Sequence, residues 1–431
     1  MTVKNRAARE RQMKEDRFFY YKDNRLKVEE IDVEKIINEV GTPAYIYSSG
    51  SFKNQLSQLE SAFQAVPHLV CYSLKVCHNI HVVRLFVDQG CGLDIVSGGE
   101  LYRALKAGVD PKKIVYSGVA KTEEEIQEAA HAGLLMLNVE SEQELERINK
   151  IGRLLKKRVP IAIRVNPNIN AKTHPYITTG MKKNKFGIDH EFVLSVYQKA
   201  RTMTNVEILG VDCHIGSQLL DVKPFRDALE IIAGYVRQFR KQGIAIKYVD
   251  VGGGLGIPYK EGDPTVSTEE YAKAITGPFL NIPDIMFVLE PGRFLAAQGG
   301  ILVTSVQYIK ENSAKKRFVI VDTGMHHLMR PPLYDGFHAI VPVERRTDRK
   351  VKVDVVGPIC ESTDFLAKDR PLEEVAQGDL LAIKNVGAYC VVLSSHYNSH
   401  LMPVEVLVDR SDFRVIRRRE TYDEMLALEM M

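Results

Sequence analysis

Short apolar runs alternate with longer amphipathic segments between about residues 68 and 289. Eight runs have the length and composition of buried strands. They cover His68–Ser73, Gly92–Val96, Lys113–Ser117, Leu134–Val139, Pro160–Val165, Ile208–His214, Lys247–Val251 and Ile285–Leu289. The intervening segments are helical in pattern, and two begin with capping-box signals at Thr122 and Ser141. Eight strand–helix units favour a (β/α)8 barrel, although a doubly wound open sheet shows a similar alternation.

The pattern changes after about residue 299, where β-rich runs separated by turn residues replace the helical segments. These runs cover Ile301–Tyr308, Arg317–Val321, Lys352–Val356, Asp379–Lys384, Pro403–Val408 and Phe413–Ile416, and a short helix is predicted over Tyr422–Leu428. We therefore expect a barrel over 41–298 and an antiparallel β-domain over 299–431. The N-terminal segment 1–40 is expected to complete the β-domain, because the barrel pattern has not begun there.

Composition and charge narrow the class of protein. The 431 residues include 58 Lys and Arg against 55 Asp and Glu, a net charge of +3 that does not favour a nucleic-acid partner. No apolar run approaches the roughly 18 residues of a membrane-spanning helix, and no signal peptide is evident. None of the six cysteines forms a C-x-x-C pair, so the sequence offers no support for a metal site. We expect a reduced, cytoplasmic protein.

Chemically active side chains and glycines follow several of the predicted strands, where barrels carry their active sites. They are Lys75 after the first strand, His214 at the end of the sixth, Gly252, Gly253 and Gly254 after the seventh, and Glu290, Gly292 and Arg293 after the eighth. Closure of the barrel would bring all of them to one face.

Each of these residues also has an ordinary structural explanation. Lys75 alone is typical of a surface lysine, and His214 alone of a hydrogen-bonded structural histidine. Three glycines are typical of a loop, and Glu290 is able to pair with Arg293. Together on one face, however, an amine, a planar ring, a backbone cradle for phosphate and a carboxylate indicate a pyridoxal 5′-phosphate site.

Glu290 indicates the type of reaction. A carboxylate keeps the pyridine nitrogen of the cofactor protonated, and the protonated ring then accepts the electron pair released when CO2 leaves a substrate. An arginine at this position would leave the nitrogen unprotonated and would suit racemisation. The sequence therefore favours decarboxylation over racemisation.

Four segments of the chain resemble the pyridoxal-phosphate decarboxylases built on an alanine-racemase-type barrel: Tyr72–Lys75, His214–Gln218, Gly252–Gly256 and Glu290–Arg293. The similarity extends from about Phe18 to Leu428. Within that class, the chain resembles the diaminopimelate decarboxylase family. The segments that carry this closer resemblance are Val96–Leu101, His174–Ile177 with Thr179–Gly180, Asn184–Gly187, Met329–Tyr334, Cys360–Ser362, Gly387–Tyr389 and Arg417–Tyr422.

The resemblance implies a role for each candidate residue. Lys75 would attach the cofactor covalently, and the other cofactor contacts would be His214, Ser217, Gly252, Gly253, Gly254, Glu290, Gly292, Arg293 and Tyr389. The substrate contacts would be Arg293, Arg330, Tyr334, Glu361 and Tyr389. Cys360 would return a proton to the substrate carbon after CO2 leaves, since a thiol is protonated at neutral pH yet acidic enough to donate. A lone cysteine is otherwise typical of a small buried hydrophobic residue.

The activity implied by the resemblance is decarboxylation of meso-2,6-diaminopimelate to L-lysine, the last step of lysine biosynthesis. A homodimer with its active site at the interface is also implied, because in this family the positions of Cys360, Glu361 and Tyr389 come from the second subunit. The alternatives are a sister decarboxylase of ornithine, lysine, arginine or carboxynorspermidine, an amino-acid racemase, and a non-enzymatic protein that binds the cofactor.

Two departures from the family pattern stand out. Val76-Cys77 follows Lys75 where many relatives have Ala-Asn, and the sequence suggests no role for Cys77. Ser362-Thr363-Asp364 replaces the usual Ser-Gly-Asp. Neither departure removes a functional group.

Overall fold

The computed structural model describes residues 17–169 and 184–430. The chain forms two compact units: residues up to Phe52 with those from Ala297 onward form the β unit, and residues 53–296 form the barrel unit. The boundary lies at residue 53 rather than at the expected residue 41, because the strand Ala44–Ser48 pairs with strands of the β unit. The motifs at His174–Ile177 and Thr179–Gly180 lie outside the described residues.

The elements follow in chain order. The first are β1 (Phe19–Lys22), β2 (Arg25–Val28), β3 (Ile31–Asp32), α1 (Val33–Val40), β4 (Ala44–Ser48) and α2 (Ser49–Phe63). The barrel unit continues with β5 (His68–Ser73), α3 (Ile80–Asp88), β6 (Gly92–Ile95), α4 (Gly98–Ala107), β7 (Ile114–Tyr116), α5 (Glu123–Ala132), β8 (Met136–Val139), α6 (Glu142–Leu155), β9 (Val159–Asn166), β10 (Ile188–Asp189), α7 (Val193–Thr202), β11 (Val206–Asp212), α8 (Lys223–Lys241), β12 (Tyr248–Asp250), α9 (Thr268–Thr276), β13 (Met286–Leu289) and α10 (Arg293–Ala296). The last are β14 (Gly300–Glu311), β15 (Arg317–Val321), α11 (Arg330–Tyr334), β16 (Ile340–Pro342), β17 (Lys350–Val356), β18 (Phe365–Glu373), β19 (Leu380–Lys384), β20 (Val404–Asp409), β21 (Asp412–Arg417) and α12 (Tyr422–Leu426).

Eight strands of the barrel unit close into a parallel barrel. Their order is β5, β6, β7, β8, β9, β11, β12 and β13, and β13 pairs with β5. All eight correspond to strands predicted from the apolar runs, so the predicted barrel is confirmed and an open sheet is excluded. Parallel closure places all eight carboxyl ends on one face, which is where the candidate residues follow their strands.

Of the two capping boxes predicted from the sequence, the one at Thr122 forms completely. Thr122 and Glu125 cap the start of α5 reciprocally. Ser141 accepts a hydrogen bond from the amide of Glu144, but the Glu144 carboxylate accepts from the amide of Glu140 at 2.7 Å. The box at Ser141 is therefore only half formed. The Glu144 carboxylate accepts from the amide one residue before Ser141 instead of from the Ser141 amide, and it also pairs with Lys121 at 2.7 Å.

The β unit is built on a sheet with the order β18-β17-β15-β14-β4-β20-β21, and β19 pairs with β14 and β16. Most pairs are antiparallel, as predicted. Two pairs are parallel, β15 with β17 and β4 with β20, so the sheet is mixed. The N-terminal segment adds the small sheet β1-β2-β3, and its apolar side chains share one core with the later strands, as expected. Members of this core include Phe19, Val28, Ile36, Ile301 and Val406.

Among the strands of the β unit after residue 299, β16 and β18 were not predicted, and neither were the strands β1 to β4 of its N-terminal part. β16 ends at Pro342, and β18 contains the polar run Lys368–Arg370 followed by Pro371. Prolines and charged residues weaken a strand signal, and their pairing partners compensate only in the folded chain. None of the helices within the described residues is long and apolar enough to cross a membrane.

Candidate active site

Lys75 lies at the carboxyl end of β5, in a 3-10 turn over Leu74–Val76. Its Nζ donates to Oδ2 of Asp94. Asp94 is completely buried at the end of β6, and the same oxygen accepts from Ser73 Oγ at 2.8 Å. The Lys75 side chain remains 36% exposed. The turn therefore presents the amine at the open face of the barrel with its charge matched by a buried carboxylate.

Asp94 was not among the predicted site residues. The signal was present, because a carboxylate interrupts the apolar run Leu93-Asp94-Ile95 near the end of a predicted strand. Buried carboxylates are costly unless they are paired, so such a residue marks a candidate site.

Glu290 is buried after β13, where its Oε1 accepts from Ser117 Oγ at 3.2 Å. Burial raises its pKa well above the usual value, and the charges of Asp250 and Asp94 raise it further, whereas Lys75 acts in the opposite direction. Burial also raises the pKa of Asp250 to about 6. A cationic partner beside Glu290, such as a protonated ring nitrogen, would lower this pKa and favour the ionised carboxylate.

Arg164, near the end of β9, is a buried cation that lies among carboxylates of the barrel interior. Its Nη1 lies 2.6 Å from Oε1 of Glu140, and its Nε lies 3.8 Å from Oδ2 of Asp212. Burial and the charge of Asp250 raise the pKa of Asp212 well above its usual value. Sequence reasoning missed these residues, although each lies at or next to the carboxyl end of a predicted strand.

His214, after β11, presents a neutral ring. The amide of Gly253 donates to its Nδ1 at 3.2 Å, which requires an unprotonated nitrogen. Burial lowers the pKa of His214 well below its usual value, and the charges of Arg164 and Lys75 lower it further. A neutral planar ring held at one nitrogen is suited to stacking against another planar group.

The three glycines after β12 form a tightly packed turn. Gly252 has φ +65° and Gly254 has φ +112°, which other residues rarely adopt. A Cβ on Gly253 would lie 2.3 Å from the carbonyl oxygen of Glu290. Two of the expected cradle amides are used within the protein, because Gly252 donates to Asp250 at 3.0 Å and Gly253 donates to His214. These two glycines therefore shape the turn.

Arg293 connects the loops after β11, β12 and β13. It is buried, and its guanidinium donates to the hydroxyls of Tyr259 at 2.8 Å and Ser217 at 3.4 Å. The polar contacts seen for Arg293 among the described residues are thus with these two hydroxyls and not with Glu290, the salt-bridge partner considered from the sequence. Gly292 is equally constrained, since a Cβ there would lie 2.5 Å from Cγ1 of Val76.

Cys77 is fully buried, and its surroundings are those of a core residue. Its carbonyl oxygen accepts from the Tyr72 hydroxyl at 3.0 Å, and the Tyr72 ring stacks on Phe86 at 4.1 Å. Cys77, which departs from the family pattern beside Lys75, therefore packs in the core behind the turn Leu74–Val76.

The β unit holds the remaining candidates. Cys360 and Glu361 are exposed in one loop after β17. Arg330 is buried at the start of α11, where its Nη1 lies 2.7 Å from Nε2 of His338. Tyr334 is half-buried at the end of α11, and Tyr389 is half-buried in a left-handed conformation with φ +58°.

Comparison with known proteins identifies the family. Residues 49–297 match the family described as "Pyridoxal-dependent decarboxylase, pyridoxal binding domain". The chain belongs to the pyridoxal-dependent decarboxylase family. This match covers more than half of the chain and includes every barrel residue described above.

Relatives within this decarboxylase family match almost the whole chain. Diaminopimelate decarboxylase from Aquifex aeolicus is 45% identical over 94% of this chain and 96% of its own length. The enzyme of the same name from Haemophilus influenzae is 45% identical over 96% of this chain and 99% of its own length. A crystal structure of diaminopimelate decarboxylase from Helicobacter pylori complexed with L-lysine has a TM-score of 0.89 and 40% identity, covering 92% of this chain and 99% of that one.

The chain is accordingly a pyridoxal-phosphate-dependent decarboxylase, and its barrel residues fit that cofactor. The Lys75 amine is presented at the barrel face, Glu290 is a buried carboxyl whose ionised form a cation would stabilise, and the turn at Gly252–Gly254 is closed to any side chain. The amine is able to react with the aldehyde of the cofactor, the carboxyl group is able to pair with its ring nitrogen, and the compact turn leaves room for its phosphate.

Proposed function

We propose that this chain decarboxylates meso-2,6-diaminopimelate to L-lysine and CO2, as the last step of lysine biosynthesis. Similarity over 94% of the chain to an enzyme named for this reaction carries the proposal. The charges of the substrate-binding candidates support it. A guanidinium such as that of Arg330 binds a carboxylate, and a carboxylate such as that of Glu361 binds an ammonium, so the pair suits a zwitterionic distal end.

The barrel residues hold and tune the cofactor. Lys75 would attach it through the amine that Asp94 holds in the structure, His214 would supply a flat surface for the ring, and Glu290 would keep a proton at the ring nitrogen. Ser217, Gly254, Gly292 and Arg293 would hold the phosphate, next to the turn shaped by Gly252 and Gly253, which has no room for side chains. When bound, the protonated cofactor accepts the electron pair released as CO2 leaves.

The substrate residues orient the distal end of the amino acid. Arg293, Arg330 and Tyr334 bind the distal carboxylate, Glu361 binds the distal ammonium, and Tyr389 contacts both cofactor and substrate. Cys360 donates its thiol proton to the α-carbon, completing L-lysine.

The active form is a homodimer, in which Cys360, Glu361 and Tyr389 of one protomer complete the barrel site of its partner. Exposure of Cys360 and Glu361 in the single chain supports this arrangement, because a proton donor to carbon works best where water is excluded. A cytoplasmic location suits six cysteines that are all free thiols.

A substrate panel tests the proposal. Purified protein loaded with pyridoxal phosphate is incubated with meso-diaminopimelate, ornithine or L-lysine, and CO2 and the amino-acid product are measured. We expect CO2 and lysine from meso-diaminopimelate alone. Preferential release of CO2 from ornithine or L-lysine would assign the chain to a sister decarboxylase, and inversion of an L-amino acid without CO2 would make it a racemase.

A further inference from the structure

The Glu361 carboxylate is held by two hydroxyl groups, one on each oxygen. The Tyr397 hydroxyl donates to Oε2 at 2.6 Å, and the Thr363 hydroxyl donates to Oε1. Both donors are neutral. Among the described residues, the groups that shift the pKa of Glu361 downward are these two hydroxyls, that of Thr363 first, and neither adds a positive charge.

Neutral donors orient a carboxylate without compensating its charge. An ionised carboxylate offers about four lone-pair positions, and the two hydroxyls occupy one on each oxygen. The remaining positions keep a fixed direction and the full negative charge, which is the arrangement that an incoming ammonium requires. An arginine or lysine in place of either hydroxyl would hold the carboxylate equally well but would weaken its attraction for a cation.

The loop that carries Glu361 is itself anchored. Asp364 is buried, and its carboxylate accepts from the amides of Met325 at 2.6 Å and Ile359 at 2.7 Å. The amide of Cys360 donates to Oδ1 of Asn398 at 2.9 Å. The loop is thus tied on one side by Asp364 and on the other by the segment that contains Tyr397.

The segment around Tyr397 has a constrained backbone. Asn398 has φ +53° and Ser399 has φ +59°, and neither is glycine. His396 at the start of the segment lies 2.6 Å from the Glu420 carboxylate. Left-handed conformations in non-glycine residues persist where the surrounding contacts enforce them, so the position of the Tyr397 hydroxyl is defined by the fold.

We propose that Tyr397 and Thr363 are positioning residues that fix the orientation of Glu361 and thereby make the site selective for a substrate with a distal ammonium group. The inference rests on the proposed function, in which Glu361 binds that ammonium.

Substitutions that remove single hydroxyls test the inference. Tyr397→Phe and Thr363→Val should each raise KM for meso-diaminopimelate roughly five- to tenfold, which is within the usual net effect of one hydrogen bond. kcat should change less than about twofold, because the reacting carbon is not touched. The preference for meso-diaminopimelate over 2-aminopimelate, which lacks the distal amine, should fall by a similar factor. Thr363→Ser should retain the wild-type KM.

A double-mutant cycle separates positioning from a general structural effect. In a Glu361→Ala background, Tyr397→Phe and Thr363→Val should produce no further change in KM, because the group they hold is gone. Tyr308→Phe removes a hydroxyl from a tyrosine that is 64% exposed in the same unit and should leave KM unchanged. Cofactor absorbance and thermal melting of each variant verify that the fold is retained.

The possible failures are distinguishable. A wild-type enzyme inactive on meso-diaminopimelate, or a Glu361→Ala variant with an unchanged KM, would overturn the proposed function or the proposed role of Glu361, and the inference with it. If Glu361→Ala raises KM while Tyr397→Phe and Thr363→Val do not, the positioning role alone is wrong. Equal effects of the two hydroxyl variants with and without Glu361 would likewise overturn it.

Discussion

At the scale of single residues, Arg330 is oriented by a histidine. Nε2 of His338 accepts from Nη1 of Arg330 at 2.7 Å, while Nδ1 of the same ring lies 2.9 Å from the carbonyl oxygen of Lys384. The two contacts require a neutral ring with its proton on Nδ1. Because both Arg330 and His338 are buried, the guanidinium has little freedom to turn.

Replacement of His338 should therefore impair substrate binding more than chemistry. We expect His338→Ala to raise KM for meso-diaminopimelate about tenfold, because Arg330 loses a partner and its orientation. His338→Gln should recover part of the loss, since a glutamine oxygen is able to accept from the guanidinium. Steady-state kinetics provide the measurement, and His131→Ala on the exposed side of α5 is the control. Unchanged KM in His338→Ala would show that Arg330 is held by other contacts.

At the scale of elements, the turn after β12 depends on the absence of side chains. We expect Gly253→Ala to weaken cofactor binding by at least about tenfold and to lower the melting temperature, because the new Cβ would lie 2.3 Å from the Glu290 carbonyl oxygen. Titration of cofactor absorbance measures the affinity.

Gly234→Ala provides a matched control, for which we expect the opposite effect on stability. Gly234 lies within α8, where an added Cβ would contact nothing within 4 Å. Alanine is the better helix former, so this variant should be slightly more stable and bind cofactor normally. Normal cofactor affinity in Gly253→Ala would show that the turn tolerates a side chain and does not define the site.

The carboxyl groups at the barrel strand ends make the cofactor-free protein sensitive to pH. The pKa of Glu290 is raised in the folded chain, so the folded state binds the proton more tightly than the unfolded state does. Stability from this group is therefore full below about pH 4.3 and declines as pH rises above that value. Without the cofactor, ionisation of the buried Glu290 carboxyl therefore lowers the stability of the folded chain.

Glu290→Gln should remove that decline. We expect the cofactor-free variant to melt several degrees above the wild type at pH 8 and close to it at pH 5, while its activity with cofactor falls. Thermal melting at the two pH values provides the measurement, and Glu230→Gln on the exposed face of α8 controls for loss of surface charge. A variant less stable than the wild type at pH 8 would contradict the proposed cost of ionising Glu290.

At the scale of the whole molecule, the two halves of the proposed site lie in different units of the chain. Lys75 belongs to the barrel unit and Cys360 to the β unit. If one protomer's β unit completes its partner's barrel, Lys75→Ala and Cys360→Ala should each be nearly inactive alone. Mixed and reassembled, they should recover about a quarter of wild-type activity, since half of the dimers would have one intact site of two.

A pair of barrel variants serves as the control for this complementation. Lys75→Ala mixed with Glu290→Ala should recover nothing, because both substitutions fall in the barrel and no dimer of the two has an intact site. Recovery in neither mixture, with dimers verified by light scattering, would indicate that each chain forms its own complete site.

The sequence by itself determined the eight barrel strands and some of the candidate residues at their carboxyl ends. Apolar periodicity is a local property, and closure of parallel strands sends every carboxyl end to the same face. Lys75, His214, Gly252–Gly254 and Glu290 were identified in this way. The residues of the β unit came from resemblance, since exposed loop residues such as Cys360 and Glu361 follow no local pattern.

Only the tertiary structure decided which charges meet. Asp94, Arg164, Asp212 and Asp250 come from four different strands, and their mutual effects depend on distances that separate segments do not encode. The same is true of Tyr397, which reaches Glu361 across 36 positions of sequence. Whether a segment forms a helix or a strand is set largely by neighbours along the chain. Strand pairing, burial and charge balance are set by neighbours in space, and only folding brings those residues together.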